Sequence, residues 1–251
     1  MSIFFPYSFS AWQWAAVIFS AVCVGVSKTG VNGATTVMIP ILALVFGAKE
    51  STGIVLPMLC FADLLAVVYY RRAARWKYIV RLLPWALAGF GLALLVDSLI
   101  PAKAFKTLIG ICILLGLAVM FWNDLRGKDA PLPDNWWFSA IFGIIGGFST
   151  MIGNAAGPVM SVFLLSMRLP KENFVGTAAW FFIILNYLKI PLQALVWHNI
   201  PIKGLFFDVS MIPFILFGLF LGVLLVKLIS EKYYRILVYI MTVASCALLI
   251  L

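Results

Sequence analysis

The stretch VGVSKTGVNGATTVMIP, residues 24–40, interrupts an apolar sequence with polar residues and glycines. It lies between two apolar runs, yet it carries a lysine together with glycine, serine, threonine and asparagine residues. Within hydrocarbon, a broken helix leaves backbone N–H and C=O groups without partners, at several kcal/mol each. Such a break persists only where it is buried in protein or lines an aqueous cavity. We therefore expect this stretch to build a polar site inside a membrane protein.

The composition supports a membrane location. The chain has 251 residues, of which 64% are hydrophobic and 11% charged, whereas soluble domains are about 25% charged. This excludes a soluble protein and predicts a single transmembrane domain over residues 1–251, multi-pass in the cell inner membrane. The sequence up to Trp14 has no basic region, so it is interpreted as the start of the first span and not as a signal peptide. The net charge of +9 is attributed to membrane topology, so the lipid bilayer and not nucleic acid is the expected partner.

Ten apolar segments are separated by glycine, proline or charged residues. Repeat 1 (about 12–122) contains segments 12–27, 34–47, 53–70, 79–97 and 104–122. After a polar linker (123–135), repeat 2 (about 136–251) contains segments 136–152, 155–167, 175–197, 209–227 and 233–251. The second segment of each half is shorter than the roughly 20 residues of a helical span, so eight to ten full spans are expected.

The two halves align with each other at an offset of 123 residues, which becomes 129 after an insertion. The matched pairs include Gly30 with Gly153, Gly53 with Gly176, Asp63 with Asn186, Pro84 with Pro213 and Gly89 with Gly218. Glycine and proline fix backbone geometry, so these matches indicate an internal duplication. Because each repeat has an odd number of segments, the two copies are expected to point in opposite directions across the membrane.

The basic residues support this inverted arrangement. When the loop RRAARWK (Arg71–Lys77) is placed inside, twelve of the 18 Lys and Arg residues fall in inside loops and four outside, with both termini outside. Aromatic residues beside the segment ends are interpreted as an interfacial belt: Tyr69, Tyr70, Trp76, Trp136, Trp137, Tyr233 and Tyr234. The predicted fold is an all-α polytopic membrane protein of two inverted repeats, each starting with broken or re-entrant helices.

The two breaks have the features of an anion site. SKTGVNGATT (residues 27–36) aligns with TMIGNAAGPV (residues 150–159). The helix that follows each break begins with free N–H groups and a positive dipole end, which bind anions. A charge at the centre of a span costs about 2.5–3.5 kcal/mol, so Lys28 is predicted to be the principal cation that binds an anionic substrate. The alternative is that the Lys28 side chain extends to the membrane interface.

Two further charged residues lie at membrane depth. Lys189 either contacts the substrate or forms a structural pair. Asp63 either couples proton movement to transport or serves as the counter-ion of Lys28 or Lys189. We favour the structural pair, because one carboxylate against two lysines leaves a positive cavity. A proton and a sodium ion both remain open as coupling ions.

Small polar side chains near the breaks are the other predicted substrate ligands. They are Thr29, Asn32, Thr35, Ser149, Thr150, Asn154, Thr177 and Asn186. Their hydroxyl and amide groups can donate hydrogen bonds to anionic oxygens. For each of them taken alone, the alternative is a helix cap or a hydrogen bond between helices.

Three functions compete: a secondary transporter for a small anion working by alternating access, an anion channel, and an intramembrane enzyme. The sequence argues against the enzyme, because it has no histidine cluster, no paired carboxylates in one span and no GxSxG motif. The four cysteines lie far apart in apolar runs, so neither a metal site nor a cofactor is predicted.

Three stretches resemble the sulfite exporter TauE/SafE family of membrane permeases. They are GVSKTGVNGATTVMIPIL (25–42), GGFSTMIGNAAGPVMSVFLL (146–165) and ENFVGTAAWFFIILNYLK (172–189), and the resemblance extends over nearly the whole chain. It implies transport of sulfite, an organosulfonate or another small sulfur-containing anion. The family's breaks are often denser in glycine. Here Lys28 and Asn32 interrupt the first break and Asn154 the second, which bears on the anion that fits.

Overall fold

The computed structural model describes residues 8–30, 34–96 and 135–250, and the regular structure in these ranges is entirely helical. The helices are α1 (Ala11–Thr29), α2 (Ala34–Phe46), α3 (Ala48–Tyr70), α4 (Trp76–Val96), α5 (Trp136–Gly153), α6 (Ala156–Ser166), α7 (Lys171–Pro191), α8 (Ile202–Leu228) and α9 (Glu231–Ile250). One π-helical turn, Leu192–Val196, extends α7. The predicted fifth segment (104–122), most of the linker and Asn32 lie outside the described residues.

The all-α, multi-pass fold is confirmed. Six of the described helices are long and apolar enough to cross a membrane. In contrast, α2 has 13 residues and α6 has 11, so they are about 20 and 16 Å long, shorter than the roughly 30 Å hydrocarbon core. Both breaks lie where the sequence predicts them. The starts predicted for α3 and α8 were too late. Helix α3 begins with the polar turn that follows Ala48, and α8 begins at Ile202, where Lys203 and Asp208 interrupt the apolar residues that precede the predicted start.

Each short helix folds back along the helix before it. The ring of Phe46, at the end of α2, lies 5.5 Å from that of Phe9, which precedes α1. In the same way, the ring of Phe163 in α6 lies 5.7 Å from that of Phe138 in α5. Helices α1–α2 and α5–α6 are therefore two antiparallel hairpins, and the breaks form their tips.

Glycines allow two helix pairs to pack backbone against backbone. A Cβ atom at Gly25 of α1 would collide with the carbonyl oxygen of Ile215 in α8, and one at Gly30 would lie 2.9 Å from Gly222 Cα. Because both residue numbers rise along this contact, α1 and α8 run parallel. Such close approach through small residues is the usual basis of helix association in membranes.

Helices α4 and α5 pack in the same manner. A Cβ atom at Gly143 of α5 would lie 2.9 Å from the carbonyl oxygen of Leu82, and one at Gly147 would collide with that of Ala86. This pair also runs parallel. Helix α5 is the first helix of the second half, and α4 is the fourth helix of the first half. The α1–α8 pair shows the same relation with the two halves exchanged.

Helices α3 and α7 cross the bundle in opposite directions. Asn186 Nδ2 of α7 donates a hydrogen bond of 2.6 Å to Asp63 Oδ2 of α3, while Gly176 of α7 lies against Tyr70 at the end of α3. Asp63 and Asn186 are equivalent under the 123-residue offset. Contact between equivalent residues of antiparallel helices is what a two-fold axis through this point would produce. The inverted duplication stays a prediction, and these three packings support it.

One end of the bundle gathers the basic residues. The turns that follow α3, α6 and α8 meet there: Asn173 Nδ2 donates to the Ala73 carbonyl at 2.6 Å, and Lys171 Nζ donates to the Ile229 carbonyl at 2.7 Å. The basic residues at this end are Arg71, Arg72, Arg75, Lys77, Arg168, Lys171, Lys227, Lys232 and Arg235. The positive-inside rule predicts that this end, the basic end of the bundle, faces the cytoplasm.

The glycine packing generates a stability prediction. We expect Gly218→Ala to lower the melting temperature in detergent, because the added Cβ meets the carbonyl of Val22 in α1. Overpacking of this kind costs about 1–3 kcal/mol. Gly91→Ala is the matched control, since a Cβ at Gly91 meets nothing within 4 Å. Equal melting of the two variants would contradict the close α1–α8 contact.

The helix directions generate a topology prediction. In a variant without its four native cysteines, we expect a membrane-impermeant maleimide to label Arg72→Cys only from the cytoplasmic side. His198→Cys, at the opposite end of α7, is expected to react only from the other side. Labelling of both positions from one side of oriented vesicles is the outcome that would exclude this arrangement.

Candidate functional site

A small cavity lined by buried residues lies between the two breaks. Its lining residues are Ser27, Lys28, Thr35, Leu59, Thr150, Asn154, Gly157, Phe182 and Asn186. Five predicted ligands are therefore brought together: Lys28, Thr35, Thr150, Asn154 and Asn186. The cavity volume is about 10 Å³, roughly what one water molecule requires.

Lys28 supplies the charge of the cavity wall. It lies in the last turn of α1, is 5% exposed, and its Nζ lies 2.9 Å from Asp63 Oδ1. The same ammonium lies 4.5 Å from the centre of the Phe182 ring, within the range of a cation–π interaction. The structure thus holds Lys28 in the interior and does not support its extension to the membrane interface.

Asp63 is the counter-ion of Lys28 and not of Lys189. Its side chain is fully buried, with one carboxylate oxygen facing Lys28 and the other accepting the hydrogen bond from Asn186. A buried ion pair is tolerated only when such additional hydrogen bonds compensate the lost hydration. The cavity therefore borders on a neutral Lys28–Asp63 pair.

Lys189 lies behind the cavity wall, fully buried on α7. Its Nζ donates hydrogen bonds to the Thr150 carbonyl (3.0 Å), Thr150 Oγ1 (3.3 Å) and Asn154 Oδ1 (2.5 Å). One turn further along α7, Gln193 Nε2 donates to the Met151 carbonyl at 3.3 Å. Lys189 thus adds a second hydrogen bond to the Thr150 carbonyl, which also accepts from the Asn154 backbone N–H at 3.1 Å. Gln193 binds the Met151 carbonyl, which the next residues of the chain leave without a helical backbone partner because Ala155 N–H donates to Ser149 instead.

The broken C-terminus of α1 is satisfied by two tyrosines. Tyr70 OH donates to the Thr29 carbonyl at 3.1 Å, and Tyr234 OH donates to the Gly30 carbonyl at 2.7 Å. Tyr70 comes from the end of α3 and Tyr234 from α9. Side chains from other helices thus bind terminal carbonyls of both interrupted helices, which lowers the cost of a break within the membrane.

The helices after the breaks direct their N-termini at the same cavity. Thr35 lies in the first turn of α2 and Gly157 in the first turn of α6, and both line the cavity. N–H groups in a first helical turn have no partner within the helix, and the dipole gives this end a partial positive charge. Two helix N-termini therefore add partial positive charge to a cavity whose Lys28–Asp63 pair is neutral overall.

Three predicted ligands lie elsewhere. Thr29 Oγ1 donates to the Leu219 carbonyl of α8 at 2.8 Å, and Ser149 Oγ donates to a carbonyl of its own helix. Thr177 lies at the basic end of the bundle, where its hydroxyl accepts a hydrogen bond from the Arg75 backbone N–H. These contacts match the structural alternative given for such residues. None of the three side chains lines the cavity, so their role as ligands stays a prediction.

The prediction that Tyr70 and Tyr234 belong to the interfacial aromatic belt is wrong. Tyr70 and Tyr234 are buried, at 6% and 1% exposure, whereas their neighbours Tyr69 and Tyr233 are half or more exposed. Adjacent residues on a helix point about 100° apart, so only one tyrosine of each pair can face the lipid. That periodicity is the signal that could have identified the two buried tyrosines. The sequence carried no comparable signal that Ser27 and Phe182 line the cavity or that Gln193 binds the end of α5.

The family model of the sulfite exporter TauE/SafE matches residues 17–249. A search of the curated proteins found no match, and neither did a search of the solved structures. The matched range includes both breaks and every residue that lines the cavity. The chain therefore belongs to the sulfite exporter TauE/SafE family.

Proposed function

We propose that this protein is a secondary transporter that moves a small sulfur-containing anion, sulfite or an organosulfonate, across the cell inner membrane by alternating access. The observation that carries this proposal is the cavity in which Lys28 and the N-termini of α2 and α6 converge. The family's description supports a sulfur oxyanion as the substrate class. It also supports transport over catalysis.

In this proposal, the anionic substrate competes with Asp63 for the ammonium group of Lys28. Without substrate, Asp63 neutralises the ammonium and so removes the cost of an unpaired buried charge. An arriving anion offers Lys28 a second partner, and its remaining oxygens accept hydrogen bonds from first-turn N–H groups and from Thr35. Removing Asp63 should therefore strengthen anion binding, whereas removing Lys28 should abolish it.

The burial of every cavity-lining residue favours a carrier over the alternative, an anion channel. On the cytoplasmic side, the tyrosine bonds of Tyr70 and Tyr234 hold the tip of the first hairpin. On the other side, Thr52 of α3 accepts hydrogen bonds from Asn154 (3.2 Å) and Asn199 (3.1 Å). A channel requires a continuous path, while a carrier passes through a state closed on both sides.

Asp63→Asn and the double variant Lys28→Met, Asp63→Asn separate binding from folding. We expect sulfite to raise the melting temperature of Asp63→Asn at lower concentrations than for the native protein, because Lys28 loses its competitor. We expect no shift in the double variant, which buries no unpaired charge but has lost the cation. The measurement is a thermal-shift titration in detergent.

Lys227→Met is the control for nonspecific loss of a positive charge. Lys227 lies at the cytoplasmic end, with its Nζ 5.7 Å from the Tyr69 ring centre, far from the cavity-lining set. It should respond to sulfite as the native protein does. A double variant that still binds sulfite with native affinity would refute the assignment of Lys28.

Counterflow distinguishes the carrier from the channel. In proteoliposomes preloaded with unlabelled sulfite, we expect accelerated uptake of labelled sulfite, because a carrier exchanges one bound anion for another. Conductance of sulfite in planar bilayers without this acceleration would favour the channel.

A further inference from the structure

Helix α7 presents three buried polar side chains along one side. Asn186 reaches Asp63, Lys189 reaches the end of α5, and Gln193 follows one turn later. Lys189 is the exceptional member, because it is a fully buried cation whose partners are all neutral oxygens. Among the described residues it has no carboxylate within ion-pair distance, since Asp63 is paired with Lys28.

The surroundings of the Lys189 ammonium have the composition of a site for a monovalent cation. They consist of a backbone carbonyl, a hydroxyl and an amide carbonyl, contributed by Thr150 and Asn154. Neutral oxygen ligands of this kind bind hard cations. The C-terminal end of an interrupted helix adds partial negative charge, and such ends coordinate the coupling sodium ion in other inverted-repeat transporters.

The orientation of Asn154 is fixed by this contact. Its Oδ1 accepts from Lys189, and its Nδ2 donates to the Thr52 carbonyl at 3.2 Å. Asn154 also has a left-handed backbone conformation, with φ of 55°, and caps α5. A cation at this position therefore holds together the break, the cavity wall and the contact to α3.

We infer that Lys189 is a built-in cation that occupies a monovalent-cation site at the α5 break. The Lys189 ammonium, which is part of the chain, supplies the positive charge that a bound sodium ion supplies in other carriers. Two consequences follow. Native transport needs no sodium, and a variant that removes the ammonium but leaves its space exposes the empty oxygen site to small cations from solution.

The first test measures melting of Lys189→Ala in N-methyl-D-glucamine chloride, with methylammonium chloride or sodium chloride then added. We expect the variant to melt below the native protein and its melting temperature to rise by roughly 5–10 °C at about 100 times the dissociation constant. Lys189→Met is the matched control, because its side chain fills the same space without charge. Neither it nor the native protein should respond.

Three results would overturn the inference from this test. The first is identical melting of Lys189→Ala in all three salts. The second is an equal response of Lys189→Met. The third is failure to isolate Lys189→Ala even in methylammonium chloride when Lys189→Met can be isolated.

The second test needs no variant and rests on the proposed function. Sulfite uptake by native protein in proteoliposomes should change less than twofold when sodium chloride is replaced by N-methyl-D-glucamine chloride. Loss of uptake without sodium would overturn the inference. Absence of uptake in either salt would instead contradict the proposed sulfite transport, and the melting test would still decide whether the site binds cations.

Discussion

The structure depends on how two interrupted helices satisfy their backbone within the membrane. At both breaks, side chains from other helices bind the carbonyl end: Tyr70 and Tyr234 at α1, Lys189 and Gln193 at α5. The amide ends, at the starts of α2 and α6, face the cavity instead. This difference between the two ends gives the cavity wall a partial positive charge, because the dipole of each helix is positive at its amide end.

The charge at the centre follows from the geometry of contact between the two halves. Asp63 and Asn186 are equivalent positions that touch each other. Two aspartates here would repel each other at hydrogen-bond distance, and two asparagines would leave Lys28 as an unpaired buried ammonium. A carboxylate facing an amide avoids both costs. Under the predicted inverted duplication, this accounts for the different residues at two equivalent positions.

Local sequence signals predicted the helices and breaks, because hydropathy and glycine act within a few residues. The depth of Lys28 was predictable for the same reason, since the apolar runs on both sides of it fix its position. The partners of Lys189 were not predictable, because Thr150 and Asn154 lie 39 and 35 residues away in sequence. The residues next to Lys189 in sequence do not indicate whether its ammonium contacts neutral oxygens or an anion. Long-range packing decides that.

Two kinds of contact differ in how easily they can change during transport. The backbone packing at Gly25 and Gly147 joins α1 to α8 and α5 to α4 along several turns, so each pair should move as a rigid unit. The residues at the two breaks, in contrast, are held to α3 by single hydrogen bonds such as those of Thr52 and Tyr70. Each contributes a net of about 0.5–1.5 kcal/mol, which the binding energy of a small anion can offset. Opening should therefore break the side-chain contacts and preserve the glycine-packed pairs.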